Sequence, residues 1–342
     1  MPTKRKDHFP EKTVELAIFI DQYLYHHWVQ LFGSYSAISS FMHRYFNVLM
    51  QILNLIYAHP SLAEVPIGFH LAYTQIFWRG DEGNTLPTWD TAPSYLEAFC
   101  DFANEENYSG ARWDHALLLT GVDLKFPNGT NYAVAGISWD NSMCNKTYSC
   151  SVVEGRTFRS VMTAAHEIGH SLGIEHDGLK YNFKCPPRGF IMGQVGGDGV
   201  GKIAWSHCSK QNLKSFLTTA PSVLNNQARC LNNKPVVYRR MRGFGGREGY
   251  GGGGPRSYDN KFSLEEQCRL GGGREWIPST RRNYVANICS LLYCTNNVTK
   301  ITVPFHPALE GTPCGIGKVC KYGECVYLRR GSVRHNYNYY NS

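Results

Sequence analysis

The chain has 342 residues, of which 42% are hydrophobic and 18% are charged. This length allows two domains, and this composition excludes an intrinsically disordered protein. No apolar run approaches the length of a membrane span, and the net charge of +8 is modest. We therefore expect neither a transmembrane segment nor binding to nucleic acid.

Strands and helices are predicted to alternate along the first 235 residues. Apolar, β-prone runs predict strands at 14–20, 66–77, 115–122 and 132–138. Apolar residues at spacings of three and four predict helices at 36–58, 95–104, 157–172 and 209–219. This alternation indicates the α/β fold class, with a mostly parallel sheet.

The composition changes after residue 235. Residues 236–260 are rich in Gly and Arg, cannot build a core and are predicted to be a linker. Residues 261–328 contain six cysteines and few long apolar runs, which predicts a small disulfide-rich module. Residues 329–342 are predicted to be a disordered tail. The expected boundaries are thus 1–235, 236–260, 261–328 and 329–342.

Twelve cysteines and four N-x-S/T sequons, at Asn107, Asn128, Asn145 and Asn297, indicate an oxidising secretory environment. The polar start of the chain has no apolar signal region, so we expect the signal peptide and propeptide to be absent from this sequence. In a secreted protein the basic clusters at 239–247 and 329–334 favour solvated sequence or weak contact with anionic matrix polysaccharide. We expect an extracellular monomer.

Residues 166–176, HEIGHSLGIEH, predict a catalytic zinc site. His166 and His170 are four residues apart on the predicted helix, so their imidazoles face one point. Gly173 can adopt the left-handed conformation and turn the chain back, which brings His176 to the same point. Three imidazoles leave the fourth zinc position open for water, and Glu167 can reach that water. The alternative is a buried helix with incidental histidines, but this pattern rarely arises by chance.

The pattern H-E-x-x-H-x-x-G-x-x-H, followed by Met192 in FIMG, resembles the metzincin zinc proteases. Asp177, directly after the third histidine, resembles the reprolysin (adamalysin) branch. The blocks TVELA at 13–17, WDHALLLTG at 113–121 and CLNNKP at 230–235 are also similar to reprolysins. Residues 261–327 resemble the disintegrin-like module of the ADAMTS family, as in EQCRL at 266–270 and GTPCGIGKVC at 311–320. The short architecture resembles secreted reprolysins of arthropod saliva and venom.

The resemblance implies a metzincin domain with a twisted sheet, an active-site helix and a structural calcium. The calcium ligands would be Glu15, Asp114, the Cys230 carbonyl and Asn233, because oxygen ligands suit calcium. The alternative is that Glu15 and Asp114 are ordinary surface charges. The resemblance also implies six disulfides, which are Cys100–Cys150, Cys144–Cys230, Cys185–Cys208, Cys268–Cys294, Cys289–Cys320 and Cys314–Cys325.

The function implied by the resemblance is a secreted zinc metalloendopeptidase that cleaves matrix or plasma proteins. Glu167 would be the general base on a zinc-bound water, and Met192 would pack beneath the zinc in the Met-turn. Residues 132–137 would form the edge strand that pairs with extended substrate. The competing hypothesis is an adhesion or matrix-binding protein that does not need catalysis, because Arg79-Gly80-Asp81 is an integrin-like tripeptide.

Overall fold

The computed structural model describes residues 12–77, 91–108, 112–127, 134–193, 203–218, 228–233, 241–242 and 262–328. Several predicted features lie outside the described residues. These are Arg79-Gly80-Asp81, Asn128, the first residues of the predicted strand 132–138, the tail at 329–342 and all of the linker except 241–242.

A six-stranded sheet forms the centre of the first part of the chain, with strand order β4-β5-β3-β1-β2-β6. The strands are β1 (Lys12–Ile20), β2 (Ile67–Ile76), β3 (His115–Thr120), β4 (Gly136–Ser138), β5 (Cys150–Glu154) and β6 (Met241–Arg242). Neighbouring strands are parallel except β4, which runs antiparallel to β5 at the edge. The predicted α/β class with a mostly parallel sheet is confirmed.

Two strands were not predicted. The sequence of β5, CSVVE, is a short run that directly follows a polar loop, so it gave no clear strand signal. Strand β6 lies inside the range predicted as a linker, where Met241 and Arg242 pair with Thr74 and Gln75 of β2. Strand pairing at a sheet edge uses backbone groups, so a Gly- and Arg-rich composition does not exclude it.

Five helices accompany the sheet: α1 (Gln22–Phe32), α2 (Tyr35–Tyr57), α3 (Ala92–Tyr108), α4 (Arg159–Ser171) and α5 (His207–Thr218). Four of them match predicted helices within four residues at each end. Helix α1 was not predicted, because its histidines and aromatic residues are weak helix formers. Its ends nevertheless carry ordinary signals: the Asp21 side chain accepts from Leu24 N–H, and Gly33 ends it at φ 73°.

The sheet separates two layers of packing. Leu16, Ile18 and Ile20 of β1 face the cluster that contains helices α1, α2 and α4, whereas Ala17 and Phe19 face helix α3. This follows from the alternation of side chains along a strand. A central strand covered on both faces must be apolar throughout, as the sequence of β1 is in its second half.

The cysteine-rich module comprises two short helices and two three-stranded antiparallel sheets. Its elements are α6 (Leu264–Gly272), β7 (Trp276–Pro278), α7 (Arg282–Val285), β8 (Tyr293–Asn296), β9 (Thr302–Pro304), β10 (Pro313–Gly315), β11 (Lys318–Lys321) and β12 (Glu324–Tyr327). Cys268, Cys289, Cys294 and Cys320 are themselves part of its small buried core. Disulfides therefore supply packing that a module this small cannot obtain from apolar side chains alone.

All twelve cysteines form disulfides. The structure joins them as Cys100–Cys150, Cys144–Cys230, Cys185–Cys208, Cys268–Cys294, Cys289–Cys320 and Cys314–Cys325. These are the pairs that the family resemblance implied, and none of them links the first part of the chain to the cysteine-rich module. Among the described helices, none has the length and apolar character needed to span a membrane.

Candidate metal centre

Three histidine side chains converge where helix α4 ends. His166 and His170 project from one face of α4, and His176 reaches the same point from the segment that follows. The Nε2 atom of His166 lies 3.0 Å from that of His176 and 3.1 Å from that of His170. The Nε2 atoms of His170 and His176 are 3.2 Å apart. The structure therefore brings together all three histidines of the predicted zinc site.

A hydrogen bond fixes which nitrogen of the His166 ring carries a lone pair. His166 Nδ1 lies 2.7 Å from the carbonyl oxygen of Ile191, which can only accept, so Nδ1 carries the proton. The neutral ring then presents a lone pair at Nε2 to the other two imidazoles. His170 Nδ1 lies 3.3 Å from a carboxylate oxygen of Asp140 without a hydrogen bond to it. A lone pair at the point where three imidazoles meet suits a bound cation.

The spacing and the protonation of the histidines both fit zinc. Tetrahedral bonds of about 2.0–2.1 Å place ligand nitrogens about 3.3 Å apart, close to the distances seen here. Burial is the largest cause that lowers the pKa of all three rings, and together with neighbouring charges it brings the pKa to about 2 for His170 and to about 4 for His176. The neutral rings that a metal requires are therefore the favoured forms at neutral pH.

The turn after α4 places His176. Gly173 has φ 79°, so the predicted left-handed conformation at this residue is confirmed. A Cβ added there would also lie 2.7 Å from Asn141 Oδ1 and 3.0 Å from a ring carbon of Phe216. Both the backbone conformation and the lack of space therefore require glycine at the position that redirects the chain toward the third histidine.

Glu167 lies beside the three histidines and is only 6% exposed. Its Oε2 accepts a hydrogen bond from Ser138 Oγ at 2.7 Å. Burial raises the pKa of Glu167 to about 7, the Ser138 hydrogen bond opposes this, and the nearby Asp140 charge adds to it. A carboxyl group whose pKa is near 7 can both accept and release a proton at neutral pH.

Strand β4 passes very close to Glu167. A Cβ added to Gly136 would lie 2.7 Å from Thr163 Cγ2 and 2.9 Å from Glu167 Oε1. Glycine at this position therefore lets the edge strand approach α4, and it brings Ser138 to the carboxylate. The predicted strand 132–138 covers β4, which begins at Gly136 in the structure, and an isolated bridge joins Val134 to Leu124.

The family profile described as "Reprolysin (M12B) family zinc metalloprotease" matches residues 12–235, which include the three histidines and Glu167. The chain belongs to the reprolysin family. A second profile, described as "ADAMTS cysteine-rich domain 2", matches residues 260–326. The predicted resemblance to reprolysins and to the ADAMTS family is confirmed.

Curated relatives of this reprolysin are ADAMTS proteins. It is 30% identical over 251 residues to "A disintegrin and metalloproteinase with thrombospondin motifs adt-1" of Caenorhabditis elegans, covering 70% of the chain and 16% of that relative. It is 32% identical over 231 residues to "A disintegrin and metalloproteinase with thrombospondin motifs 13" of Homo sapiens, covering 66% of the chain and 15% of that relative. With "A disintegrin and metalloproteinase with thrombospondin motifs 16" of Homo sapiens it shares 29% identity over 284 residues, covering 81% of the chain and 21% of that relative.

The chain thus spans only 15–21% of the length of these relatives. One solved structure, described as "Structure of a chaperone-substrate complex", aligns with 49% of this chain and 27% of its own. Its TM-score is 0.35 and its sequence identity 16%, which are too low to support an argument.

Met192 and Asp177 join the reprolysin metal centre to the rest of the domain. Met192 is fully buried, and a Cβ added to Gly169 of α4 would lie 2.8 Å from its sulfur. The carbonyl of Met192 accepts from the N–H of Asp177 at 2.8 Å, and the buried Asp177 carboxylate accepts from Ser206 Oγ at 2.5 Å. The methionine therefore packs under the helix, and Asp177 fixes the chain just after His176.

Three of the four predicted calcium ligands meet at the start of the reprolysin domain. The backbone N–H of Glu15 donates to Asp114 Oδ2 at 2.9 Å, and Asn233 Nδ2 donates to Glu15 Oε2 at 2.7 Å. Glu15 is 3% exposed and Asp114 is 8% exposed, so neither is an ordinary surface charge. Burial raises the pKa of Asp114 to about 7, and the Glu15 charge raises it further. Cys230 lies three residues from Asn233, in the disulfide with Cys144.

Sequence reasoning missed two residues of the metal centre, Ser138 and Asp140. Both lie on or just after β4, about thirty residues before Glu167 and His170, which Ser138 and Asp140 respectively contact. No motif marked them, and the only available signal was the predicted edge strand nearby.

Of the described sequons, Asn145 and Asn297 are exposed, whereas Asn107 is half-buried and donates to Trp113 O at 3.4 Å.

Proposed function

We propose that this reprolysin is an active zinc metalloendopeptidase that hydrolyses peptide bonds in extracellular proteins. His166, His170 and His176 would hold the metal, and Glu167 would be the catalytic base. The observation that carries the proposal is the convergence of three neutral imidazoles beside one buried carboxylate. An inert scaffold would have no need to bury a carboxylate whose pKa is about 7 next to three imidazoles whose Nε2 atoms meet within 3.2 Å.

Zinc, when bound, supplies a Lewis acid that polarises the scissile carbonyl and lowers the pKa of water toward about 7. Glu167 accepts a proton from the attacking water and returns it to the departing amine. The Ser138 hydroxyl holds Oε2 of Glu167, which leaves Oε1 to exchange the proton. His166 keeps its Nδ1 proton turned away from the metal through its hydrogen bond to Ile191 O, and the Asp140 carboxylate lies 3.3 Å from His170 Nδ1.

Substrate would bind in extended form along the outer edge of β4. This strand is the first in the sheet order, so its outer backbone groups have no partner strand among the described residues. An added peptide strand would pair with them and lie across Glu167, which touches β4 at Gly136. Matrix and plasma proteins are the expected substrate class, and we propose 1–235 as the catalytic domain and 261–328 as the module that accompanies it.

The Glu15 and Asp114 cluster would bind a structural calcium ion, with Asn233 and the Cys230 carbonyl as further ligands. A cation would relieve the repulsion between two buried carboxylates, of which Glu15 raises the pKa of Asp114 through its charge. Calcium at about a hundred times its dissociation constant would then stabilise the fold by about 2.7 kcal/mol. The test is whether calcium raises the melting temperature. No increase in the parent protein, or an equal increase in Asp114→Asn, would contradict the calcium site.

The six disulfides and two exposed sequons support secretion as the setting of this activity. An adhesion protein that does not need catalysis is the other candidate. The intact set of histidines and Glu167 favours the enzyme, and the tripeptide Arg79-Gly80-Asp81 lies outside the described residues.

The test is cleavage of a quenched fluorescent peptide library by the purified protein. We expect chelation with phenanthroline to abolish cleavage and zinc to restore it. Glu167→Ala should lower kcat by about 10²–10⁴-fold, the usual contribution of a general base. Glu97→Ala, on the exposed side of α3, is the matched control and should cleave normally. Full activity of Glu167→Ala would refute the assigned role.

A further inference from the structure

Between His176 and Met192 the chain presents a surface that the proposed mechanism does not use. We call it the basic-aromatic rim, and its exposed members are Leu179, Lys180, Tyr181, Phe183, Lys184 and Arg188. Tyr181 is 85% exposed and Phe183 is 67% exposed. Residues 179–188 contain no Asp or Glu. Exposed aromatic side chains grouped among cations are costly unless they contact a partner.

The rim is held from below by buried polar contacts and a disulfide. Asn182, at 3% exposure, donates from Nδ2 to Glu175 O at 3.0 Å and to Asn212 Oδ1 at 2.8 Å. Gly178 N–H donates to Asn182 O at 3.0 Å, and Cys185 is joined to Cys208. Buried anchors thus alternate with exposed aromatic and basic side chains. The exposure of Tyr181 and Phe183 is therefore a fixed property of the turn.

The rim borders the metal centre. Lys180 is the fourth residue after His176, and Asn182 beneath the rim donates to the carbonyl of Glu175, the residue directly before His176. The acids nearest in sequence do not neutralise the outer face: Asp177 is fully buried, and Glu175 Oε2 is buried too. The Lys184 ammonium lies 5.7 Å from the centre of the Phe183 ring. A ligand that touches the rim is therefore within reach of the reacting centre.

We propose that the basic-aromatic rim is a specificity surface for protein substrates that carry carboxylate side chains beside apolar ones, close to the scissile bond. Lys180 and Lys184 would pair with Asp or Glu of the substrate, while its apolar side chains pack on Tyr181 and Phe183. This inference deepens the proposed peptidase function and rests on it. The position beside His176 favours a substrate over a lipid surface, because a bilayer on this face would cover the approach to the site.

The size of the effect follows from the exposure of the cations. An exposed ion pair is worth at most about 1 kcal/mol, so two pairs give a preference of at most about thirtyfold in kcat/KM, and two pairs of about 0.5 kcal/mol give about fivefold. The attraction is between solvent-accessible charges, so it should weaken between 50 mM and 500 mM salt. An apolar contribution from Tyr181 and Phe183 would persist at high salt.

The experiment compares two peptides that differ only in having Glu or Gln at the residues flanking the cleaved bond. The protein should cleave the Glu peptide with the higher kcat/KM, by about fivefold to tenfold at low salt. Lys180→Glu with Lys184→Glu should bring this ratio to 1 or below. Lys125→Glu with Lys146→Glu changes the net charge equally at exposed sites away from the rim and should leave the ratio intact.

A binding measurement separates failure of the rim from failure of the peptidase proposal. Calorimetry with Glu167→Gln reports the affinity for both peptides without turnover, and the rim predicts tighter binding of the Glu peptide in this variant too. If the protein binds the Glu peptide more tightly but cleaves neither peptide, the peptidase proposal is wrong and the proposal for the rim stands. Equal binding and equal cleavage of the two peptides would overturn the rim. Binding to phosphatidylserine vesicles without peptide selectivity would overturn it as well, in favour of a lipid surface.

Discussion

The two ends of helix α4 differ in the kind of contact that they make. At its C-terminal end, polar side chains close together in sequence form the metal centre. At its N-terminal end, aromatic side chains from distant parts of the chain meet around Phe158, the residue before the helix. The Phe158 ring lies 4.8 Å from that of Phe262 and 5.8 Å from that of His306, both in or next to the cysteine-rich module.

The module docks on this end through one aromatic cluster with a charged edge. Phe262 is 3% exposed, its ring lies 5.8 Å from that of Phe41, and the Arg44 guanidinium lies 4.2 Å above it. Arg44 also pairs with Glu266 of α6. The same helix thus carries the proposed catalytic site at one end and the joint between the two parts of the protein at the other. We therefore expect that stability and catalysis can be changed separately along this helix.

Phe262→Ala should have the largest effect, and the effect should be on stability. Removing a buried phenylalanine typically costs about 3–5 kcal/mol, because the cavity that remains does not fully close. Peptide cleavage well below the melting temperature should fall less than threefold, since Tyr57 OH still donates to Ala165 O at 2.8 Å and holds the metal end of α4. Urea unfolding and kcat/KM measure the two effects.

Ile316→Ala, at an 86% exposed site in the same module, is the control and should unfold like the parent protein. If Phe262→Ala keeps its fold but loses cleavage, the two ends of α4 are coupled and the comparison fails.

Ser138→Ala should lower catalysis and leave stability nearly unchanged, which is the reverse of the result expected for Phe262→Ala. The free-energy change should also be smaller. Its hydroxyl donates to Glu167 Oε2 at 2.7 Å, so its loss leaves the carboxylate less well oriented. We expect kcat to fall about tenfold with KM nearly unchanged, because a hydrogen bond to a charged group is worth about 1.5–3 kcal/mol and water replaces part of it. The unfolding free energy should change by less than about 0.5 kcal/mol.

Ser138→Thr restores a hydroxyl at this position and should recover most of kcat. If Ala and Thr variants are equally slow, the Ser138 side chain does not orient Glu167.

The contrast between the ends of α4 also explains what could be predicted from the sequence. The spacing of His166 and His170 is a local property of a helix, and Gly173 is a local signal for the turn, so the sequence alone predicts both. The parallel strands β1, β2 and β3 were predicted because buried strands are apolar along their length, whereas the parallel strands β5 and β6 were not. Ser138, Asp140 and the packing of Phe158 on Phe262 depend on contacts across about thirty to one hundred residues, which no local pattern encodes. The cysteine pairs required the resemblance to a known family, since twelve cysteines alone allow many connectivities.

A third prediction concerns pH and the docking end of α4. His306 is 2% exposed, its Nδ1 lies 2.8 Å from Pro307 O, and burial lowers its pKa to about 4. The ordinary pKa of about 6.5 returns when the protein unfolds. Between these two values the unfolded chain binds the additional proton, so the free energy of unfolding falls as pH falls from about 6.5 toward 4. At pH 5.5 this loss amounts to about 1.2 kcal/mol relative to pH 7.

His306→Phe keeps an aromatic ring beside Phe158 but cannot take up a proton. Its unfolding free energy, measured in urea from pH 5 to pH 7.5, should therefore depend less steeply on pH than that of the parent protein. His26→Asn, at an exposed histidine of α1, should leave the slope unchanged. An unaltered slope in His306→Phe would show that the docking end tolerates a charged imidazole. In that case only the metal end of α4 would depend on neutral histidines, and a buried imidazole at the docking end would not make stability depend on pH.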